Sequence, residues 1–326
     1  MRLLKLVPED TNIGFVRLRH WAFGITALLT LLAVAAVGWR GLNLGVDFVG
    51  GLMIEAHFQE PPHLEELRAN VDRIGAGQGA LQSYGDPRIV AIRLPPPESG
   101  PGAASQIVDR VNNALRADYP GMRIARYDTV SGKVSGELIQ KGLLAVFLAI
   151  LGIAVFSWIR YEWQFGVSTF VAVLHDVLMT MGFFAITRFE FDLSTVAAVL
   201  TIVGYSINDK IVVDDRIREN MRKYRKMEMG PLIDLSVNEV LPRTVMTSIT
   251  VLLALGALLI FGGHVLRGFT AAMMLGIIVG TYSSIYVSAS MLITLGLAPH
   301  PPSIQTGPVA RERREGRNET DDGARV

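Results

Sequence analysis

Hydrophobic residues are concentrated in long stretches that polar segments separate. A helix needs about 20 mostly apolar residues to cross the hydrocarbon core of a bilayer. Six stretches of the chain approach or exceed that length, namely residues 20–38, 142–159, 165–187, 191–213, 244–263 and 269–297. The pattern predicts an α-helical membrane bundle of six spans, with five of them together in residues 142–297.

The segment 39–141 between the first two stretches has no apolar run of that kind. Residues 52–58 alternate between apolar and polar positions, as a half-buried strand does. Further patterns predict strands at 80–84, 89–94 and 123–129, helices at 63–74 and 104–117, and a proline-rich loop at 95–102. The order β-α-β-β-α-β predicts a ferredoxin-like α+β domain inserted after the first span.

Basic residues near the spans indicate the orientation, because Lys and Arg accumulate in cytoplasmic loops. They occur in the N-terminal segment 1–19, in the predicted loop 214–242 and in the predicted disordered tail 298–326, whereas the short loops on the other side carry only Arg188 and Arg267. Both termini are therefore predicted to be cytoplasmic, with the inserted domain periplasmic. One alternative for the first span is a cleaved signal peptide, because the segment 33–35 (AVA) resembles a cleavage site. The inserted domain lies outside in either case.

The composition supports a membrane protein, since 50% of the residues are hydrophobic and the mean hydropathy is +0.35. A net charge of +1 gives no reason to expect a nucleic acid partner, and the absence of cysteine excludes disulfides and thiolate-bound zinc. His57 and His63 lack further ligands nearby, so no metal site is predicted. Nucleotide-binding and hydrolase motifs are also missing. Nothing in the sequence therefore indicates ATP hydrolysis, protease activity or a cofactor, and an energy-using role would have to draw on an ion gradient.

Several ionisable residues fall inside the predicted spans, where each requires a reason. His175 and Asp176 lie roughly 15 Å from the start of their span, near the middle of the membrane. They are expected to face protein or a hydrated cavity, either as part of a pathway or as a polar pair that only joins helices.

The fourth span carries Ser206, Asn208, Asp209 and Lys210 close to its cytoplasmic boundary. Arg243 is predicted at a similar depth at the start of the fifth span, where Pro242 suits a first helical turn. Asp209 and Arg243 could therefore pair. The alternative is that Asp209 and Lys210 are ordinary interfacial charges, with Lys210 reaching the membrane surface.

Small residues in the fourth and sixth spans predict close helix packing. Gly276 and Gly280 form a GxxxG motif, and Gly204 is a further small residue. Ser283, Ser284 and Ser288 extend the small polar face of the last span, which favours a helix–helix interface over a conduit.

Four stretches in the right order resemble the SecD/SecF family of bacterial protein export. They are LNLGVDFVGGLMIEAHF (42–58), AVLHDVLMTMGFFAIT (172–187), TIVGYSINDKIVVDDRIREN (201–220) and SVNEVLPRTVMTSIT (236–250). A short outside domain with a single set of six spans is similar to the SecF form of this family.

The resemblance implies half of a transporter of the resistance-nodulation-division superfamily, located in the bacterial inner membrane and completed by SecD. It implies use of the proton-motive force during preprotein export at the SecY/SecE/SecG channel, with YajC and YidC as further partners. The proton-pathway groups of the family fall on Asp209 and Arg243, with His175, Asp176, Asn208 and Ser206 as supporting polar residues. Asp47, Gly50 and Gly51 match the signature after the first span, where a structural role is implied.

The chain departs from the family pattern at three positions. Lys210 replaces a usual Thr, Asp214 replaces a Phe, and Pro242 stands where a small polar residue is common. A cation beside Asp209 favours its charged form, which is the wrong direction for a proton carrier, although successive helical side chains diverge by about 100°. Two other functions stay open: a passive scaffold for the translocase, and half of a proton-coupled efflux pump for small solutes. The sequence also leaves open whether H⁺ or Na⁺ is the coupling ion.

Overall fold

A computed structural model describes Pro8 and residues 11–74, 80–84, 86–96, 102–263 and 266–298 of the 326-residue chain. The predicted tail 298–326 lies outside the described residues except for Ala298, and so does much of the predicted loop 95–102.

The chain first forms a single 3-10 turn, Val16–Leu18, and then the first membrane helix, α1 (Arg19–Arg40). A short strand, β1 (Asn43–Leu44), and a one-turn helix, α2 (Val46–Val49), lead into the inserted domain. Gly50 and Gly51 connect α2 to the next strand with φ angles of 79° and 120°. A side chain at Gly51 would lie 2.5 Å from the Leu94 carbonyl oxygen, so only glycine fits there.

Within its described residues, the inserted domain has one four-stranded antiparallel sheet and two helices. Its elements are β2 (Gly51–His57), α3 (Leu64–Arg73), β3 (Ala80–Tyr84), β4 (Asp86–Leu94), α4 (Ala103–Asp118) and β5 (Arg123–Val130). The strand order is β3-β4-β2-β5, and the β-α-β-β-α-β element order agrees with the prediction. Apolar side chains of β2 and β4, such as Ile54 and Ile92, pack on Val111 of α4 in the domain core.

The remaining helices return the chain to the membrane region. They are α5 (Gly132–Arg160), α6 (Trp163–Thr187), α7 (Leu193–Lys223), α8 (Met229–Phe261) and α9 (Arg267–Tyr282), which continues through a π-helical segment (Ser283–Ser288) into α10 (Ala289–Thr294). A two-residue strand, β6 (Glu190–Phe191), precedes α7. Within the described residues, six helices or continuous helical segments are long and apolar enough to cross a membrane.

Two predicted boundaries are wrong because helices continue beyond the apolar stretches. Residues 214–242 are not a loop, since α7 extends to Lys223 and α8 begins at Met229. Pro242 consequently lies inside α8 rather than in its first turn. The extensions are amphipathic: Ile217 of α7 packs with Leu232 and Val237 of α8 in a shared core. Charged residues can occupy the outer face of such a helix, so polarity alone did not mark its end.

The start of the second membrane helix also differs from the prediction. Helix α5 begins at Gly132, ten residues before the predicted start at 142. Ser131 caps it by accepting a hydrogen bond from the Val134 amide.

The inserted domain is joined to the bundle at the end from which α7 starts. Strand β1 pairs in parallel with β6, with Asn43 opposite Glu190 and Leu44 opposite Phe191. Arg93 of the inserted sheet donates to the Leu44 carbonyl oxygen at 2.9 Å and forms an ion pair with Glu190 at 3.0 Å. The domain therefore has a polar attachment to the membrane helices in addition to its two covalent connections.

Candidate functional site

One face of α7 carries polar side chains into the interior of the bundle. Ser206, Lys210 and Asp214 are spaced four residues apart, so they lie one above another along the helix. All three are buried, with Lys210 only 1% exposed and Asp214 0% exposed. Helix α6 and the π-helical segment face this row and contribute further polar groups.

Asp176 of α6 lies beside Ser206, at the N-terminal end of this row. Its side chain connects α6, α7 and the π-helical segment. Its Oδ2 accepts hydrogen bonds from the Ser206 hydroxyl at 2.6 Å and the Ser283 hydroxyl at 2.9 Å. Its Oδ1 has no hydrogen-bond partner, although the residue is fully buried. The neighbouring His175 is also buried, and neither ring nitrogen has a hydrogen-bond partner. Both residues face protein, as their predicted depth requires.

Lys210 lies between Asp176 and Asp214. Its Nζ donates to the Ser168 hydroxyl at 3.3 Å, lies 3.8 Å from Asp214 Oδ2, and interacts electrostatically with Asp176. Neither carboxylate oxygen of Asp214 has a hydrogen-bond partner. Lys210 therefore points into the bundle, and the prediction that it could reach the membrane surface is wrong.

Asp209 lies on a different side of α7 and is 3% exposed. The Thr281 hydroxyl and the Arg243 guanidinium act on its carboxylate, and Thr281 shares a 2.8 Å hydrogen bond with Ser248. In the described part of the chain, Asp209 and Arg243 do not form an ion pair within 4.0 Å. Arg243 is exposed on the outer surface of α8, so the two groups interact across a gap rather than in direct contact.

Two of the predicted residues lie away from the interior. Gly204 and Asn208 are on the exposed face of α7, and nothing lies within 4 Å of a Cβ built at Gly204. Among the described residues, Gly204 therefore has no packing partner and the Asn208 side chain does not hydrogen-bond to Asp209. Gly276 and Gly280 do lie where two helices approach closely, because Cβ atoms there would meet Ile202 at 2.5 Å and Ser206 at 3.2 Å.

Asp47 connects the signature after α1 to the start of α7. Its Oδ2 accepts a 2.9 Å hydrogen bond from the Leu193 amide, in the first turn of α7. Asp192, the N-cap of α7, accepts from the Thr195 amide at 2.8 Å and completes a capping box. The carboxylates of Asp47 and Asp192 therefore accept hydrogen bonds from amides in the first turn of α7, the helix that carries Lys210 and Asp209.

Asp214 and Ser168 belong to the site although the sequence pattern did not predict them there. The signal for Asp214 was its spacing of four residues from Lys210, which places the two side chains together on a helix. Ser168 had no comparable signal, because its role depends on how α6 packs against α7. Among the described residues, no cluster of three His, Asp or Glu side chains could hold a metal ion.

Comparison with known families gives two matches that together cover most of the chain. Residues 110–298 match the family described as protein export membrane protein SecD/SecF, C-terminal. Residues 40–62, which include Asp47 and the two glycines, match the SecD/SecF GG motif.

Curated relatives and solved structures agree with these matches. A protein translocase subunit SecF of Desulfurispirillum indicum is 40% identical over 86% of this chain and 91% of its own length. The SecF subunit of Rhodobacter capsulatus is 42% identical over 90% of this chain and 92% of its own length.

A crystal structure of SecDF from Thermus thermophilus, described as a translocon-associated membrane protein, superposes with a TM-score of 0.81 at 34% identity over 89% of this chain. A second SecDF structure, in a super-membrane-facing form, gives a TM-score of 0.66 at 33% identity over 95% of this chain. The chain spans 40% of the length of each of these SecDF structures.

Proposed function

The chain belongs to the SecF branch of the SecD/SecF protein-export family, and from that premise we propose that it couples the proton-motive force to preprotein export together with a SecD subunit. It is a multi-pass membrane protein, as its six apolar helices and its SecF relatives indicate. The single observation that carries the proposal is the placement of Asp209. Its carboxylate is 3% exposed inside a membrane helix and is acted on by Thr281 and Arg243 without a direct ion pair.

Such a carboxylate can change its charge during transport. An ionised carboxylate in a low-dielectric interior is unfavourable unless it is compensated, so gain of a proton or approach of Arg243 are alternative ways to stabilise Asp209. A movement that brings Arg243 closer would release the proton, and a movement that withdraws Arg243 would take one up. Proton binding at Asp209 is thereby linked to the relative position of α7 and α8.

The exposed face of α7 and α8 supports a SecD partner. Thr201, Gly204 and Asn208 form a small polar stripe on α7, and Arg243 is exposed on α8. Lipid tails offer no hydrogen bonds to these groups, whereas a second helical half could cover them with polar side chains. The match covers only 40% of the length of the SecDF chain, which is consistent with a second helical half in that protein.

The proposed setting is the bacterial inner membrane. The inserted domain is proposed to be a periplasmic ferredoxin-like domain that contacts the emerging preprotein, which its antiparallel β3-β4-β2-β5 sheet supports. Both termini would then be cytoplasmic. The SecY/SecE/SecG channel, YajC and YidC are proposed as further partners, without a cofactor or a catalytic site.

The test is preprotein export into inverted membrane vesicles that contain the chain with SecD, at several imposed pH gradients. Asp209→Asn keeps the shape of the side chain but removes its ability to exchange a proton. We expect it to abolish the increase in export that the pH gradient produces and to leave export without a gradient unchanged. Arg243→Met should have the same effect, because an Asp209 without a charge partner stays protonated.

The matched control is Asp215→Asn, on the same helix but partly exposed to water. It should preserve the response to the gradient. A full response in both Asp209→Asn and Arg243→Met would contradict proton coupling and would favour a passive scaffold that stabilises the translocase. A response to a Na⁺ gradient that replaces the response to pH would identify Na⁺ as the coupling ion.

A further inference from the structure

The interior of the bundle contains more acidic than basic groups. Among the described residues, the buried charged side chains of the membrane helices are Asp176, Asp209, Asp214 and Lys210. Asp209 has Arg243 as its own charge partner. Asp176 and Asp214 are both 0% exposed, and Lys210 is the one cation of the described structure that acts on both.

Lys210 is placed to serve either carboxylate. Ser206, which donates to Asp176, lies four residues before Lys210, and Asp214 lies four residues after it, so each step along the helix is about 6 Å. The Lys210 Nζ is 3.8 Å from Asp214 Oδ2, and Ser168 holds it at 3.3 Å. A lysine side chain has enough reach and rotational freedom to move between two such positions.

One ammonium compensates one carboxylate. If Asp176 and Asp214 were both ionised, the cluster would hold an uncompensated buried charge, which is strongly unfavourable. Among the described residues, Asp176 Oδ1 and both oxygens of Asp214 are buried and receive no hydrogen bond that would stabilise a negative charge. A carboxylic acid at either position would restore neutrality.

We propose that Asp176, Lys210 and Asp214 form a second proton-binding site, in which the two carboxylates share one ammonium and hold one proton between them. When the proton leaves the Asp214 carboxyl and binds the Asp176 carboxylate, the Lys210 ammonium shifts toward the new carboxylate at Asp214. The reverse transfer moves the ammonium toward Asp176, and the total charge stays constant in both directions. The site lies on a different side of α7 from Asp209. Its use in transport rests on the proposed function, whereas the presence of the shared proton does not.

The groups around the cluster do not supply a second cation. On α6, Ser168 contributes a neutral hydroxyl, and the ring nitrogens of His175 have no hydrogen-bond partner among the described residues. The last helix contributes the hydroxyls of Ser283 and Ser288. On α7, Asp215 adds a further negative charge near Asp214, but Tyr161 and Arg160 bind it at the surface. On α8, Arg243 acts on Asp209.

The proton count can be measured directly by infrared spectroscopy of the purified complex with SecD at neutral pH. A protonated carboxyl group has a C=O stretch separate from that of a carboxylate, and exchange into deuterated water shifts it. Relative to the unmodified chain, Lys210→Met should gain one protonated carboxyl group, because both acids then stay neutral. Asp214→Asn should lose one, because Asp176 then pairs with Lys210. The double variant Lys210→Met/Asp214→Asn should return to the original count.

Asp215→Asn is the control and should leave the count unchanged. Size-exclusion chromatography shows which variants assemble, and the double variant keeps a neutral interior, so it tests the proposal even if a single variant fails to assemble. Equal counts in the unmodified chain, Lys210→Met and Asp214→Asn would overturn the shared proton, and so would a double variant whose count differs from the original. A full response of export to the pH gradient in both Asp209→Asn and Arg243→Met would overturn the proposed function and leave this count unaffected, so the two failures are distinguishable.

Discussion

Gly276 and Gly204 are both glycines inside membrane helices, but their surroundings differ. A Cβ at Gly276 would lie 2.5–2.7 Å from three side-chain atoms of Ile202, a β-branched residue with little freedom to move. A Cβ at Gly204 would have open space around it. The two positions therefore separate the effect of packing from the intrinsic helix propensity of alanine, which is about 1 kcal/mol better than that of glycine.

We predict that Gly276→Ala lowers the stability of the chain by about 1–2 kcal/mol, because overpacking at Ile202 outweighs the gain in helix propensity. Gly204→Ala should instead leave the apparent melting temperature of the isolated chain unchanged or higher. Thermal unfolding in the same detergent measures both. An equal shift in the two variants would show that the contact at Ile202 has no energetic effect.

In the complex, Gly204→Ala tests where SecD binds. If SecD covers the stripe of Thr201, Gly204 and Asn208, the added methyl group should weaken co-purification with SecD although the isolated chain is stable. Normal co-purification would place the SecD interface on another face of the chain.

At the scale of elements, the start of α7 depends on two carboxylates from different parts of the chain. Asp192 caps the helix locally through Thr195, whereas Asp47 reaches it from α2 and accepts from the Leu193 amide. A carboxylate at a helix N-terminus also interacts favourably with the helix dipole. Asp47 is therefore a link between the segment that enters the inserted domain and the helix that carries the buried charges.

We predict that Asp47→Ala destabilises this junction by about 1 kcal/mol and increases amide exchange at residues 193–196 of α7 and 46–50 around α2. Asp192→Ala is the matched control, since it removes a cap of similar strength but leaves the link to α2 intact. It should increase exchange in α7 alone. Hydrogen–deuterium exchange read by mass spectrometry distinguishes the two, and identical patterns would show that Asp47 acts only as a second cap.

The elements could largely be predicted from the sequence, because an apolar run of membrane length and the alternation in β2 are local properties. The ends of α7 and α8 could not, since Ile217, Leu232 and Val237 become a helix–helix core only when the two extensions meet. Asp209 could be singled out by its depth and motif. The cluster at Lys210 could not, because its direction and its contact with Ser168 are set by how α6 packs on α7.

At the scale of the whole molecule, Arg93 and Glu190 hold the inserted domain to the membrane helices. Their side chains are 22% and 7% exposed and lie 3.0 Å apart. A cavity of about 170 Å³ with Asp47, Glu55, Glu190 and Asp192 in its lining lies at this junction, so the domain is not tightly packed there. Burial raises the pKa of the Glu190 carboxyl above its ordinary value, with Asp192 and Asp47 adding to the rise and Arg93 opposing it.

We predict that Arg93→Met loosens this attachment by roughly 2–5 kcal/mol at neutral pH, because Glu190 is left buried without its partner. The chain has no native cysteine, so spin labels at Arg116→Cys of α4 and Leu266→Cys before α9 report the domain position without background. The distance distribution should broaden in Arg93→Met and stay narrow in the control Arg73→Met, whose hydrogen-bond partners Ala69 and Asn70 lie on its own helix of the inserted domain. Because the attached state raises the pKa of Glu190, it binds a proton more tightly than a detached state in which Glu190 is solvated, and attachment should strengthen as the pH falls through that raised pKa. Without Arg93, the pKa of Glu190 should rise further. Acid should therefore restore a narrow distance distribution in Arg93→Met, and this change should be larger than the change that acid causes in the unmodified chain. A distribution that stays narrow at neutral pH, or one that broadens in acid, would contradict this role of the ion pair.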